Sequence, residues 1–84
     1  MMAYYVYMLL CEGGSYYTGY TKDVESRFKR HKKGIGARYT RIHRPMKVVY
    51  VEKIGSRKEA VRRERTIKLL SHKKKRRLVG RLNV

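Results

Sequence analysis

The chain has 84 residues, enough for a single domain spanning 1–84 with a small core, because a chain of this length buries only about 60–65% of the surface its unfolded form exposes. Twenty-three Lys and Arg against six acids give a formal charge of +17 and a pI near 10.5, a self-repelling balance that calls for a polyanionic partner, nucleic acid before an anionic membrane surface. The longest apolar run, residues 3–11, falls far short of the roughly 20 residues of a spanning helix and follows no basic segment, so neither a membrane span nor a signal peptide is expected. Cys11 is the single cysteine, which excludes an intrachain disulfide and a thiolate zinc cluster and leaves the cytoplasm as the default location.

Residues 4–20, YYVYMLLCEGGSYYTGY, hold six of the eight tyrosines. Residues 4–10 and 16–20 are rich in β-formers and flank turn chemistry at Glu12-Gly13-Gly14-Ser15, which predicts a β-hairpin. Loop length decides which tyrosines share a face. A two-residue turn at Gly13-Gly14 would put Tyr7 and Tyr17 on opposite faces. A three-residue loop, Glu12-Gly13-Gly14 with Gly14 left-handed, opposes Leu9 to Tyr17 and Tyr7 to Gly19, making Tyr7 and Tyr17 diagonal neighbours and leaving Tyr4 and Tyr16 on the other face.

Thr21 or Asp23 can cap a helix over residues 22–33, where Val24, Arg27, Phe28 and His31 form one inward stripe. Gly34 and Gly36 end it, and GARYTRIHRP reads as a loop closing at Pro45. Residues 46–53 alternate as a third strand, with Val49 and Val51 on one face and Val48 and Tyr50 on the other. Ser56-Arg57-Lys58-Glu59 matches a capping box, and the helix that follows carries Ala60, Val61, Glu64, Ile67 and Lys68 on one stripe. Ser71 caps a final basic helix at about residues 72–79. The order β-β-α-β-α-α predicts an α+β fold, a three-stranded antiparallel sheet flanked by helices.

Each chemical feature has a plain structural alternative. Tyrosine is a good strand residue, so the hairpin phenols can be sheet packing. Glu64, on an apolar stripe, can be one half of an ion pair. Arg27 and His31 can sit at a core edge. A charge of +17 on 84 residues exceeds an ordinary solvated surface.

Taken in order along residues 4–79, these features resemble the GIY-YIG nuclease family. Tyr5-Val6-Tyr7 stands at its first tripeptide and Tyr17-Thr18-Gly19 at its second. Arg27, His31 and Glu64 stand where the family keeps an arginine and its partner on the first helix and a metal-binding glutamate on a later one. Gly36-Ala37-Arg38-Tyr39-Thr40 is similar to a loop of the small standalone members, related to the GIY-YIG domain of a structure-specific repair endonuclease. The chain departs from the pattern twice. Tyr5-Val6 replaces Gly-Ile, and the asparagine that many catalytic members carry about three helical turns beyond the glutamate is missing near Arg76, Asn83 being the only asparagine.

The resemblance implies hydrolysis of DNA phosphodiesters, branched or damaged DNA included, with one divalent cation, Mg²⁺ or Mn²⁺, on Glu64. It further implies that Tyr7, helped by His31, activates the attacking water, with Tyr17 as the alternative base, and that Arg27 clamps the phosphate. Forming a phenolate from a tyrosine of pKa near 10 at pH 7 costs on the order of 4 kcal/mol, and Arg27 and its fellow cations are expected to reduce that cost. Tyr39, Thr40, Arg41 and Lys68 are the expected substrate contacts, DNA favoured over RNA. Two other readings stand beside this one: a non-catalytic basic module that binds RNA or DNA, and a subunit that cuts only when a protein partner presents the substrate.

Overall fold

The computed structural model describes residues 3–80. Strands β1 (Tyr4–Cys11) and β2 (Tyr16–Thr21) form a hairpin around a single tight turn, Glu12–Gly14. Leu9 pairs with Tyr17 and Tyr7 with Gly19, the three-residue-loop register. Both Gly13 and Gly14 have positive φ, 86° and 87°, so the turn uses two left-handed glycines where one at Gly14 was expected. The Cys11 amide donates to the Ser15 carbonyl at 2.9 Å and closes it.

Strand β3 (Pro45–Ile54) pairs antiparallel with β1, giving the order β2-β1-β3 with β1 in the centre. A central strand covered on both faces needs apolar residues at consecutive positions, which is why β1 reads as a continuous run. Val6 and Met8 join Tyr50 on one face against Ala60 and Ile67 of α3 (Arg57–Lys68) and Val79 of α4 (His72–Gly80). Tyr7, Leu9 and Cys11 fill the other face, packed by Tyr17, by Val24 and Phe28 of α1 (Val24–Lys32) and by Tyr39 of α2 (Arg38–Ile42).

Two predictions from the sequence are corrected. Met8 pairs with Tyr50 but Leu9 with Val48, so Val49 is the extra residue of a β-bulge. One inserted residue reverses the alternation, so Val48 and Tyr50 lie on opposite faces, and Val49 packs on the Tyr50 side while Val51 does not. The segment expected as a loop before Pro45 contains α2, a five-residue helix whose N-cap, Ala37, offers no side-chain acceptor. So short and uncapped a helix is held by packing, here through Tyr39 and the buried Thr40.

The remaining ends follow capping chemistry. Asp23, rather than Thr21, caps α1 by accepting the Ser26 amide at 3.1 Å, and Ser56 caps α3 by accepting the Glu59 amide at 3.2 Å. Gly34, at φ 77°, turns the chain out of α1. Arg63 grips Glu52 through Nε at 2.9 Å and Nη2 at 3.2 Å, fixing α3 to β3. Arg57 donates to the Tyr20 hydroxyl at 3.2 Å and Lys68 lies 5.9 Å over the Tyr17 ring, so α3 runs beside β2 from Tyr20 back towards Tyr17. Helix α4 then seats on the hairpin tip, where His72 Nε2 is 2.8 Å from the Gly14 carbonyl and its ring stacks on Tyr16. Among the described residues no helix is long and apolar enough to cross a membrane.

Candidate active site

The site lies on the α1 face of the sheet, and its centre is a chain of buried polar groups. The Tyr7 hydroxyl is 2.8 Å from His31 Nε2, and His31 Nδ1 is 2.8 Å from Thr40 Oγ1. Thr40 has one hydroxyl proton and donates it to the Ala37 carbonyl at 2.8 Å. Nδ1 therefore carries the ring proton and donates to Thr40, and Nε2 accepts from Tyr7. The Ala37 amide also approaches Nδ1, at 3.3 Å, which would suit the other tautomer; the two shorter bonds decide between them.

Two glycines make room for this chain. A Cβ on Gly19 would stand 2.6 Å from the Tyr7 hydroxyl, and a Cβ on Gly36 would collide with the His31 ring. Gly36 was expected only to end α1, yet its φ is not positive and what it supplies is space.

Around Tyr7 and His31 stand the other predicted groups. The Tyr17 ring centroid is 6.3 Å from Tyr7 and 5.0 Å from His31, and it stacks on Tyr39 at 6.0 Å. Tyr7 and His31 are sealed, at 1% and 0% exposure, whereas Tyr17 is only half-buried. Arg27 lies close enough to act on all three, and its Nε is buried with no hydrogen-bond partner among the described residues. Glu64 reaches the cluster from α3, close enough to raise the pKa of both phenols, and its carboxylate pairs with Lys68 at 3.4 Å.

Electrostatics set the resting protonation. Burial pushes the Tyr7 hydroxyl well above the ordinary phenol range, Tyr17 adding to the shift and Arg27 only partly offsetting it. Tyr17 is raised by burial and then by Glu64. His31 is lowered by burial and then by Arg27 and Arg30. The expectation that Arg27 eases ionisation of Tyr7 holds in sign, but burial outweighs it, and both phenols and the imidazole rest neutral.

Some expected contacts fall elsewhere. Thr40, at 2% exposure, sits behind His31, with its hydroxyl bonded to His31 and Ala37. Arg41 is exposed and lines a basic depression that shares only His31 and Thr40 with the cluster. Arg76 is an exposed cation of α4. Asn83 lies outside the described residues. Sequence reasoning missed His43, whose ring is 4.5 Å from Tyr39 and extends the Tyr17–Tyr39 stack; the signal was its i+4 spacing from Tyr39.

A cation would find one carboxylate here, since among the described residues no three His, Cys, Asp or Glu converge. Glu64 keeps 19% of its side chain exposed, so its oxygens remain available. That donor set fits a hydrated ion shared with a phosphate, which Mg²⁺ accepts, and does not fit an all-protein cage.

The structure is thus a small α+β domain with tyrosine, histidine, arginine and one carboxylate gathered in a chain of high positive charge. The chain matches the GIY-YIG catalytic domain over residues 3–77 and belongs to that family. It is 46% identical over 80 residues to a UPF0213 protein of Staphylococcus saprophyticus, covering 95% of this chain and 98% of that one. A UPF0213 protein of Staphylococcus aureus is 44% identical over 79 residues, covering 94% and 96%. Among solved structures, the UPF0213 protein BH0048 from Bacillus halodurans is similar at 48% identity and TM-score 0.59, covering 94% of this chain and 84% of that one. The protein EF2693 from E. faecalis is similar at 36% identity and TM-score 0.65, covering 99% and 88%. The family is one of nuclease-like domains, generally dependent on a divalent metal, and it suggests nucleic acid as the partner.

Proposed function

We propose that this chain is a metal-dependent endonuclease that hydrolyses phosphodiester bonds in DNA, branched or damaged structures among its substrates. The observation that carries the reading is Glu64: α3 brings an acid beside Tyr7, Tyr17 and Arg27 in a chain of charge +17. An anion there weakens phosphate binding, whereas metal-dependent hydrolysis uses a carboxylate to hold its cation.

Arg27 clamps the non-bridging oxygens of the scissile phosphate through its planar, permanently charged guanidinium. Lys68 turns from Glu64 to a neighbouring phosphate. A cation, Mg²⁺ or Mn²⁺, on Glu64 and the phosphate would neutralise charge developing on the phosphate and the leaving oxygen. Tyr7 is sealed at rest, so the step requires the site to open to water. Water then attacks phosphorus as Tyr7 passes its hydroxyl proton to His31 Nε2 and takes one from the water, and the leaving oxygen departs with the electron pair of the broken bond while His31 keeps the proton. His31, resting neutral with Nε2 as acceptor, is in the state this transfer requires. Tyr17, which is only half-buried, is the alternative base. Tyr39 and Arg41 contact the substrate beyond the reacting centre, in a cytoplasmic setting and with or without a presenting protein.

A second reading, a module that binds nucleic acid without cutting, is favoured by two observations. Glu64 is already paired with Lys68, and Arg76 stands near where many catalytic relatives carry asparagine. A panel of duplex, flap, junction and single-stranded DNA, and RNA, with Mg²⁺, Mn²⁺ or chelator separates the two. Metal-dependent cutting of DNA is expected, and no cutting of any substrate would leave the binding module.

A further inference from the structure

Away from Tyr7 and Tyr17, a depression opens between the end of α1 and the start of β3. Its walls carry Lys32, Lys33, Arg41 and Arg44, with His31 and Thr40 among the other lining residues. The four cations come from the C-terminal end of α1, from α2 and from the link to β3, so they converge through the fold and not along one helix face. None is ion-paired among the described residues, where the three salt bridges join Lys29 to Glu25, Arg63 to Glu52 and Lys68 to Glu64.

Four exposed like charges around one depression raise the local positive potential, which a bound anion would lower. Several nearby acceptors are already occupied. The carbonyls of Lys29, Arg30 and His31 at the end of α1 are taken by the amides of Lys33, Ile35 and Gly34. Thr40 is committed to Ala37 and His31. The backbone beneath the cations is fixed, since the Arg44 carbonyl accepts the Glu12 amide at 2.8 Å and Pro45 is buried.

We infer that Lys32, Lys33, Arg41 and Arg44 form a second phosphate site, which holds a phosphate of the bound nucleic-acid strand away from the scissile position. It borders the candidate active site through the buried His31 and Thr40, which lie between the two. The inference rests on the reading that the chain binds nucleic acid, and does not depend on its cutting it.

The test measures binding of a labelled DNA oligonucleotide across a salt series, in chelator and in a Glu64→Gln background so that no strand is cut. Removing one phosphate-binding cation lowers the slope of log K against log salt by about 0.9 on duplex DNA, so Lys33→Gln with Arg44→Gln is expected to reduce it by roughly 1–2. Lys53→Gln with Lys58→Gln, exposed lysines outside the depression, removes the same charge and is expected to change it by less than half as much. In parallel, bound DNA is expected to shift the amide resonances of Gly34 and Arg44, and Lys32→Gln with Lys33→Gln to weaken those shifts. An unchanged slope, or equal reductions from the two pairs, would overturn the site. Should the parent chain cut no substrate while the slope difference holds, the nuclease reading fails and the phosphate site stands; no DNA binding by the parent would sink both.

Discussion

The Tyr7 hydroxyl and His31 Nε2 meet at 2.8 Å across 24 residues of sequence, tying the central strand to the last turn of α1. Because the pair is sealed from water, removing either partner leaves a buried polar atom unsatisfied.

Tyr7→Phe is therefore expected to cost about 1–3 kcal/mol of stability in urea unfolding, as His31 loses its partner. Tyr17→Phe removes a hydroxyl from a half-buried ring and is expected to change stability by less than about 0.5 kcal/mol. On cleavage the same variants distinguish the two candidate bases. With Tyr7 as base, Tyr7→Phe loses at least about 100-fold in rate and Tyr17→Phe much less. A larger loss from Tyr17→Phe would reassign the base.

Stability should also depend on pH in two windows. His31 is held below its ordinary value of 6.5, so below that pH the unfolded chain takes a proton that the folded chain refuses, and stability falls as the solution is acidified towards the folded-state pKa. Tyr7 and Tyr17 are raised from 10.0, so stability falls again as pH rises above 10, where only the unfolded phenols ionise. Urea midpoints across pH check both limbs. His31→Gln should flatten the acidic limb alone; an unaltered acidic slope would mean that His31 titrates freely.

Gly19→Ala and Gly36→Ala should each cost about 1–3 kcal/mol, since a methyl group would press on the Tyr7 hydroxyl or the His31 ring. Gly55→Ala is the control, because its Cβ would meet only Glu59, at an ordinary 3.7 Å. Thermal melts rank the three, and an undisturbed Gly36→Ala protein would show that the His31 ring can move aside.

Much of this site was legible because it depends on periodicity. Loop length fixed the side shared by Tyr7 and Tyr17, and helical spacing turned Arg27 and His31 inward. What escaped depends on long-range packing. Nothing local marks Val49 as a bulge, since Val48, Val49 and Val51 are all good strand residues. Helix α2 lacks both length and a side-chain cap, so its sequence reads as a loop. With α2 unseen, Thr40 looks like a substrate contact when it is the group that holds His31 Nδ1, and Gly36 looks like a helix terminator when it is the gap that the ring fills.

The central claim is that Glu64 makes this cationic surface a hydrolytic site. Its most direct test is metal-dependent cleavage by Glu64→Gln, measured beside DNA binding in chelator. The amide keeps the shape and removes the charge, so cleavage should fall to the level seen with chelator while binding holds or tightens as one negative charge is removed. Cleavage by Glu64→Gln at the parent rate would contradict the account.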